Sequence, residues 1–395
     1  MKATWVAAIL LMLVIVASAA AQTPPTGEWR IRPSLYALGA LDESSDFPFA
    51  DPAIKVVEPG AGANVGLGLD FARPGDRGLF RGSLFGLARN PLAGASRSFF
   101  GAGHLEASRR FGGAGRFTFA DAGRVQRYPQ LEVSDYWANE ASARVEWGNA
   151  SGKGFGFRLS DRRRALSELK LLGFSRQALG VGTFFPTGPQ GRAEVGLEVQ
   201  HYSAPTATGG RLVLGGEWAS FSRKGASSVR LAWFEPFADR RLTDDQDAVS
   251  GDNSEFGDIG RGEFFEILAL AGGYGAFLDE SFFIDPLESE TDEWDFGRRK
   301  QVLTALVSRR LGVHTTASTF LRLQHRTGPN LLLPEGAPGA ASFTDDRLGL
   351  RATVRRDVGP RVSLLLHGAW LKSSSDRRAV DFSRGLVAFG VQIHF

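Results

Sequence analysis

The stretch that decides the fold is the last one in the chain, Arg384-Gly385-Leu386-Val387-Ala388-Phe389-Gly390-Val391-Gln392-Ile393-His394-Phe395. Side chains of a β-strand point to opposite faces with period two, so alternation along a strand sorts residues between its faces. Here small or polar residues alternate with apolar ones, and the sequence ends on an aromatic residue. The pattern predicts a strand with one apolar face, formed by Val387, Phe389, Val391, Ile393 and Phe395.

The other end of the chain has the pattern of an export signal. Lys2 precedes an apolar run over 3–16, and the small residues 17–21 follow it. This order predicts a signal peptide over 1–21, cleaved before Gln22, which leaves 22–395 as a single domain. A membrane anchor is the alternative, but the run is shorter than the roughly 20 residues that a membrane-spanning helix needs.

The composition excludes several classes of protein. The chain has no cysteine, which excludes disulfides and thiolate metal sites. Its 46 basic and 43 acidic residues nearly balance, and this balance together with export argues against nucleic-acid binding. Its 49 glycines, 30 phenylalanines and 8 tryptophans fit an all-β chain with tight turns and aromatic belts.

Alternating segments of roughly ten residues recur along the mature chain, separated by clusters of Gly, Pro, Asn and Asp. Both ends of an outer-membrane-type barrel lie on one side of the membrane, so the number of strands must be even. We predict 18 strands, with 16 as the alternative. The predicted strands are 28–39, 62–72, 78–89, 97–109, 115–126, 138–148, 153–163, 173–185, 192–202, 210–222, 226–237, 262–271, 276–285, 299–310, 315–326, 346–356, 361–372 and 381–395.

The connections between these segments also alternate in length. Those at 73–78, 223–226 and 357–360 are short, whereas 40–61, 239–261, 286–298 and 327–345 are long. Short turns on one side and long loops on the other are typical of an antiparallel up-and-down transmembrane β-barrel. Such a barrel turns its apolar face to lipid, since only helices and closed barrels satisfy every backbone polar group there.

Period-two alternation also predicts which charged residues face the lumen. Closing the barrel brings the last strands beside the first, which would place the inward basic residues on one arc and inward acids on another. Opposed walls of this kind bias which solutes pass. The alternative is that charges line any wet lumen, because a charge facing lipid costs roughly 2–4 kcal/mol at the midplane. The basic arc is Arg30, Arg32, Arg322, Arg347, Arg351 and Arg355, and the acidic arc is Glu140, Glu146, Glu194 and Glu198.

Catalytic patterns are missing from the sequence. None of its six histidines lies in a zinc-binding spacing, and no G-x-S-x-G motif is present. We therefore expect no enzyme activity, no cofactor and no metal site, and we expect the acidic loops to be solvated surface.

The signal peptide, the alternating strands and the terminal Val391-Gln392-Ile393-His394-Phe395 resemble those of Gram-negative outer-membrane β-barrels. This resemblance implies location in the outer membrane, contact with its lipid and lipopolysaccharide, and insertion by the barrel assembly machinery through the C-terminal strand. The segments 35–45 and 373–384 resemble parts of barrels that accompany exopolysaccharide export or surface-lipoprotein assembly, which implies periplasmic export components as partners. Those families usually carry tetratricopeptide repeats, and this chain has none.

These observations favour a channel that passes hydrophilic solute or polymer, with anionic polysaccharide as the more specific possibility. Two alternatives remain. The first is a non-conducting structural or adhesive barrel that binds through its extracellular loops. The second is a barrel-embedded hydrolase.

Overall fold

The fold was analysed in a computed structural model. The structure describes residues 28–45, 61–91, 98–127, 136–149, 151–166, 174–204, 207–222, 224–241, 299–328, 343–375 and 382–395. The predicted signal peptide over 1–21 and the greater part of each predicted long loop lie outside these residues. No helix within the described ranges is long and apolar enough to cross a membrane.

The described residues form 16 β-strands, all longer than the ten residues expected from the sequence. The strands are β1 (Arg30–Ser45), β2 (Ala61–Gly75), β3 (Gly78–Pro91), β4 (Ser98–Phe111), β5 (Gly115–Arg127), β6 (Tyr136–Gly148), β7 (Gly154–Leu166), β8 (Phe174–Pro186), β9 (Gly191–Ser203), β10 (Ala207–Ser222), β11 (Gly225–Arg241), β12 (Arg299–Arg310), β13 (Thr315–Gly328), β14 (Phe343–Asp357), β15 (Val362–Ser375) and β16 (Phe382–His394).

The strands close into one antiparallel barrel. Each strand pairs with its neighbours in sequence, and β1 pairs with β16 to complete the ring. This confirms the predicted all-β, up-and-down barrel, with 16 strands, the alternative count, rather than 18. The predicted strands 262–271 and 276–285 lie outside the described residues. Because β11 pairs directly with β12, the wall has no place for them between those two strands.

Tight turns join the strands at one end of the barrel, where β1 begins and β16 ends. Their described residues are 76–77, 112–114, 149, 151–153, 187–190, 224, 311–314 and 358–361. Gly112 (φ 58°) and Gly152 (φ 77°) have left-handed backbone conformations in two of them, which a side chain would strain. Short turns mark the periplasmic end of such a barrel.

The strands extend beyond the apolar band at the opposite end. There Glu235 of β11 accepts hydrogen bonds from Arg299 of β12, at 2.7 Å from Nε and 2.5 Å from Nη2. Both side chains are exposed. Backbone pairing therefore continues where the outward side chains are polar, which explains why the strands are longer than their apolar segments.

Candidate functional site

Ion pairs between strands that are not neighbours identify the inner face of the barrel. Arg192 of β9 donates to Glu146 of β6 at 2.5 Å, although two strands lie between them. Arg176 of β8 lies 3.5 Å from Glu140 of β6. Such contacts form only on the concave side of a curved sheet. The residues that share their alternation on each strand therefore line the lumen.

The outer face is apolar and bordered by aromatic side chains. On β7, Phe155, Phe157 and Leu159 are 46%, 46% and 59% exposed, while the intervening Gly156 and Ser160 are buried. At the periplasmic end Trp29 packs edge-on against Phe80, with ring centroids 5.6 Å apart.

Near the opposite end, Trp137, Trp233 and Trp370 are also exposed on the outer face. An apolar band between two aromatic belts on a closed barrel is the outer surface of a protein embedded in the outer membrane. The chain is an outer-membrane β-barrel protein.

Comparisons with known proteins give structural likenesses at low identity. No protein-family model and no curated protein matches the chain. Among solved structures, it is similar to the outer membrane protein OprD from Pseudomonas aeruginosa, with 9% identity, a TM-score of 0.43, and coverage of 92% of this chain and 94% of that one. It is also similar to Acinetobacter baumannii OccAB3, with 10% identity, a TM-score of 0.45, and coverage of 92% and 99%.

The structure places the predicted basic arc on the inner face but at two heights. Arg322, Arg347 and Arg351 lie along β13 and β14 within the barrel. Arg355 lies four residues nearer the periplasmic end than Arg351, which is about 13 Å along a strand. Arg30 and Arg32 begin β1 at that same end, where both are exposed. The six residues therefore form an internal group and a group at the periplasmic mouth.

The internal group is larger than the sequence predicted. In the strand pairing Lys300 lies opposite Arg326, and Gln324 lies opposite Arg347. Neither β12 nor β13 contains an aspartate or a glutamate. We call this group of inward basic residues on β12, β13 and β14 the basic wall; it consists of Lys300, Arg322, Arg326, Arg347 and Arg351.

Aromatic and polar neighbours hold the basic wall in place. The Lys300 ammonium lies 4.2 Å from the ring centroid of Phe234, and the Arg351 guanidinium lies 5.2 Å from that of Phe320. Both contacts are cation–π interactions. Arg322 donates a hydrogen bond of 3.1 Å to Gln324. Lys300, Arg322 and Arg326 are buried, whereas Arg347 and Arg351 are half-buried. The two half-buried arginines are the ones that a solute in the lumen can reach.

The predicted acidic arc lies on the inner face of β6 and β9, but arginines accompany it. Glu140 lies 3.3 Å from Arg158, 3.2 Å from Arg162 and 3.5 Å from Arg176. Arg144 pairs with both Glu146, at 2.8 Å, and Glu194, at 2.5 Å. The fourth glutamate, Glu198, accepts a hydrogen bond of 2.6 Å from Gln200.

We call this side of the lumen, the inner face of β6 to β9, the mixed wall. Sequence reasoning overlooked Arg158, Arg162, Arg176 and Arg192, because it selected acids and left their partners on adjacent strands unexamined. Sorting every charged residue of β7, β8 and β9 by the same alternation would have found them. The inner face of β6 to β9 is thus a network of paired charges.

The seam between β16 and β1 is closed by buried polar contacts. Gln392 donates a hydrogen bond of 2.7 Å to the Tyr36 hydroxyl, and both side chains are buried. The predicted assembly strand is β16, where Val387 and Phe389 are exposed on the outer face. The amide of Phe395 donates to the Pro33 carbonyl at 3.2 Å, which ties the chain end to β1.

Possible catalytic or metal-binding groups were examined on the described strands. The Thr353 hydroxyl lies 2.8 Å from His367 Nδ1, and both side chains are buried. Within the described ranges, no group of three or more His, Asp or Glu residues could hold a metal ion.

Proposed function

We propose that this barrel is a channel that passes hydrophilic anionic solutes across the outer membrane. The observation that carries the proposal is the excess of basic residues on the basic wall: β12 and β13 contain no acidic residue, and β14 places Asp345 opposite Arg326. An excess of one charge on a lumen wall raises the local concentration of solutes of the opposite charge.

The mixed wall supports the same selectivity. It lies across the ring from β14 and carries glutamates paired with arginines. Paired charges leave a weaker field than isolated ones, so this wall repels an anion less than an acidic wall would. An anion in the lumen therefore meets attraction on one side and a nearly neutral polar surface on the other.

The burial of the basic wall favours a narrow passage. A 16-stranded barrel can leave an aqueous channel, yet Lys300 and Arg326 are only 1% and 3% exposed. Arg347 and Arg351 are then the residues of the basic wall that a solute contacts. We expect a small conductance with strong charge selectivity rather than the large conductance of a wide pore.

The same burial also gives a basis for the second candidate, a non-conducting barrel that binds through the loops 239–261 and 286–298. Residues 242–261 and 286–298 lie outside the described residues, so the burial alone supports this candidate. A more specific form of the channel proposal is export of an acidic exopolysaccharide with periplasmic export components as partners. Insertion by the barrel assembly machinery remains a prediction from the C-terminal strand.

A liposome-swelling assay tests the proposal. Proteoliposomes are placed in iso-osmotic gluconate, glucose or glucosamine, which differ in charge and little in size. We expect the fastest swelling in gluconate, and we expect R347A/R351A to remove that preference. The control variant is Arg163→Ala, which removes an exposed arginine on the outer face. Swelling no faster than in protein-free liposomes would contradict the channel and favour the non-conducting barrel.

A further inference from the structure

Charged residues are segregated toward the periplasmic end of the barrel. The chain as a whole is almost neutral, with 46 basic and 43 acidic residues. The described acids at this end are Glu28, Asp70, Asp76, Glu146 and Asp357, which the basic residues outnumber. Asp357 accepts a hydrogen bond of 3.0 Å from Arg355. The exposed basic residues at the same end are Arg30, Arg32, Arg73, Arg77, Arg109, Arg110, Arg116, Lys153, Lys224, Arg309, Arg310, Arg356 and Arg361.

Five of these arginines face the pore rather than the membrane. They share the alternation of inward neighbours such as Ser34 on β1 and Ser308 on β12, and Arg116 lies opposite the inward Glu146 in the strand pairing. All five are exposed. In the strand pairing Arg32 lies opposite Asp70 and Arg116 lies opposite Glu146, whereas Arg110 lies opposite Arg116 and Arg310 lies opposite Thr316. We call these five residues the mouth arginines: Arg30, Arg32, Arg110, Arg116 and Arg310.

The mouth arginines are more exposed than the basic residues deeper in the lumen. There the half-buried Arg144 and Arg158 are paired with glutamates, and Arg192, at the start of β9, is also paired. The mouth arginines lie on β1, β4, β5 and β12, on different sides of the opening. Their guanidinium groups therefore lie on separate parts of the rim, and guanidinium donors suit carboxylate or sulfate oxygens.

We propose that the mouth arginines capture a polyanion, a chain that repeats carboxylate or sulfate groups, as it enters the pore from the periplasm. The proposal rests on the proposed channel and adds the side of entry and the form of the solute. Several guanidinium groups around one opening can each contact a separate anionic group of one chain. Linked contacts raise the overall affinity well above that for a single anion.

Phospholipid headgroups are the competing source of anionic groups at this height. The residues that suit them are a separate set, because Arg73, Arg109, Arg309 and Arg356 share the outward alternation of residues such as Phe117 and Val354. The mouth arginines lie on the opposite face of the wall, away from lipid. The outward set is therefore a matched control, with the same residue type at a similar height.

The experiment measures current block in a planar bilayer that holds the protein in one orientation, verified by side-specific protease cleavage. Oligogalacturonate is added to one side at a time at low salt. We expect the oligogalacturonate concentration that blocks half of the current to be at least tenfold lower from the periplasmic side than from the extracellular side. The variant R30A/R32A/R116A/R310A should lose that difference, whereas R73A/R109A/R309A/R356A should keep it.

Equal block from the two sides, or an equal loss of the difference between sides in the two variants, would overturn capture by the mouth arginines. The measured current would still support the channel. If the protein carries no current, the channel proposal fails. Binding of oligogalacturonate to the purified protein then tests separately whether the mouth arginines capture a polyanion. Binding that is lost only in the mouth variant would support capture at the rim. Equal binding by both variants would overturn it.

Discussion

Gln392 of the last strand donates a hydrogen bond of 2.7 Å to the hydroxyl of Tyr36 in the first strand, so a buried side-chain contact joins residues 356 positions apart across the closing seam. Gln392 is 0% and Tyr36 is 1% exposed. The backbone pairing between β1 and β16 aligns these two residues directly. The contact therefore adds a specific polar link to the step that closes the ring.

Removing one partner of this link should destabilise the barrel. Tyr36→Phe leaves the buried Gln392 amide without its acceptor, which we expect to lower the free energy of unfolding by about 1–3 kcal/mol. The double variant Y36F/Q392L removes both groups and should recover most of that loss. Urea unfolding in lipid, followed by the gel mobility shift of the folded barrel, measures both. Additive losses in the double variant would show that the two side chains are not coupled.

Asp121 is an exception on the outer face. It follows Phe117 and Phe119 on β5, which are 40% and 41% exposed, and it accepts a hydrogen bond of 2.9 Å from Asn139 of β6. A carboxylate facing lipid is costly, though less so than Arg or Lys. We expect Asp121→Asn to raise the free energy of unfolding in lipid by about 1 kcal/mol. The control is Asp161→Asn, because the Asp161 carboxylate already has a cationic partner, Arg163, at 3.1 Å. Destabilisation by Asp121→Asn would indicate that another protein covers this face.

Glu140 holds three arginines of the mixed wall together. Glu140→Gln leaves the guanidinium groups of Arg158, Arg162 and Arg176 close together without their shared counter-charge. We expect a loss of about 1–3 kcal/mol in the free energy of unfolding, because an acceptor in a partly buried network is weakened. Glu198→Gln is the control, since Glu198 bonds to the neutral Gln200. If urea unfolding shows equal losses in the free energy of unfolding for the two variants, Glu140 does not hold the three arginines together as described.

The C-terminal aromatic residue should matter for assembly. Phe395 is 48% exposed, and its amide donates a hydrogen bond to the Pro33 carbonyl. If the assembly machinery reads this strand, deleting Phe395 should lower the folded fraction recovered from outer membranes. Phe395→Trp keeps an aromatic end and should restore it. An unchanged yield after deletion would contradict this role, and refolding in pure lipid separates assembly from stability.

The sequence predicted the barrel well, because alternation between apolar and polar residues depends only on which face meets lipid. The alternation on β14, with Leu350 outward and Arg351 inward, could be sorted without a structure. The strand count was harder, because 262–271 and 276–285 alternate in the same way, and the count follows from the direct pairing of β11 with β12.

The site was predictable only in part. A single strand shows that Glu140 faces inward, but its contacts with Arg158, Arg162 and Arg176 depend on register and on curvature across three strands. The height of a residue along the barrel axis also depends on the register between strands. The separation of Arg30 and Arg32 from Arg351 follows from how far each strand is shifted against the next, which composition and period do not contain.

The reversal potential of the purified protein in a planar bilayer, under a tenfold KCl gradient, tests the central claim most directly. We predict resolved single-channel steps and a reversal potential of the sign for anion selectivity. The potential should move toward zero in R347A/R351A. A folded barrel with no steps, or one with cation selectivity in the wild type, would contradict the account.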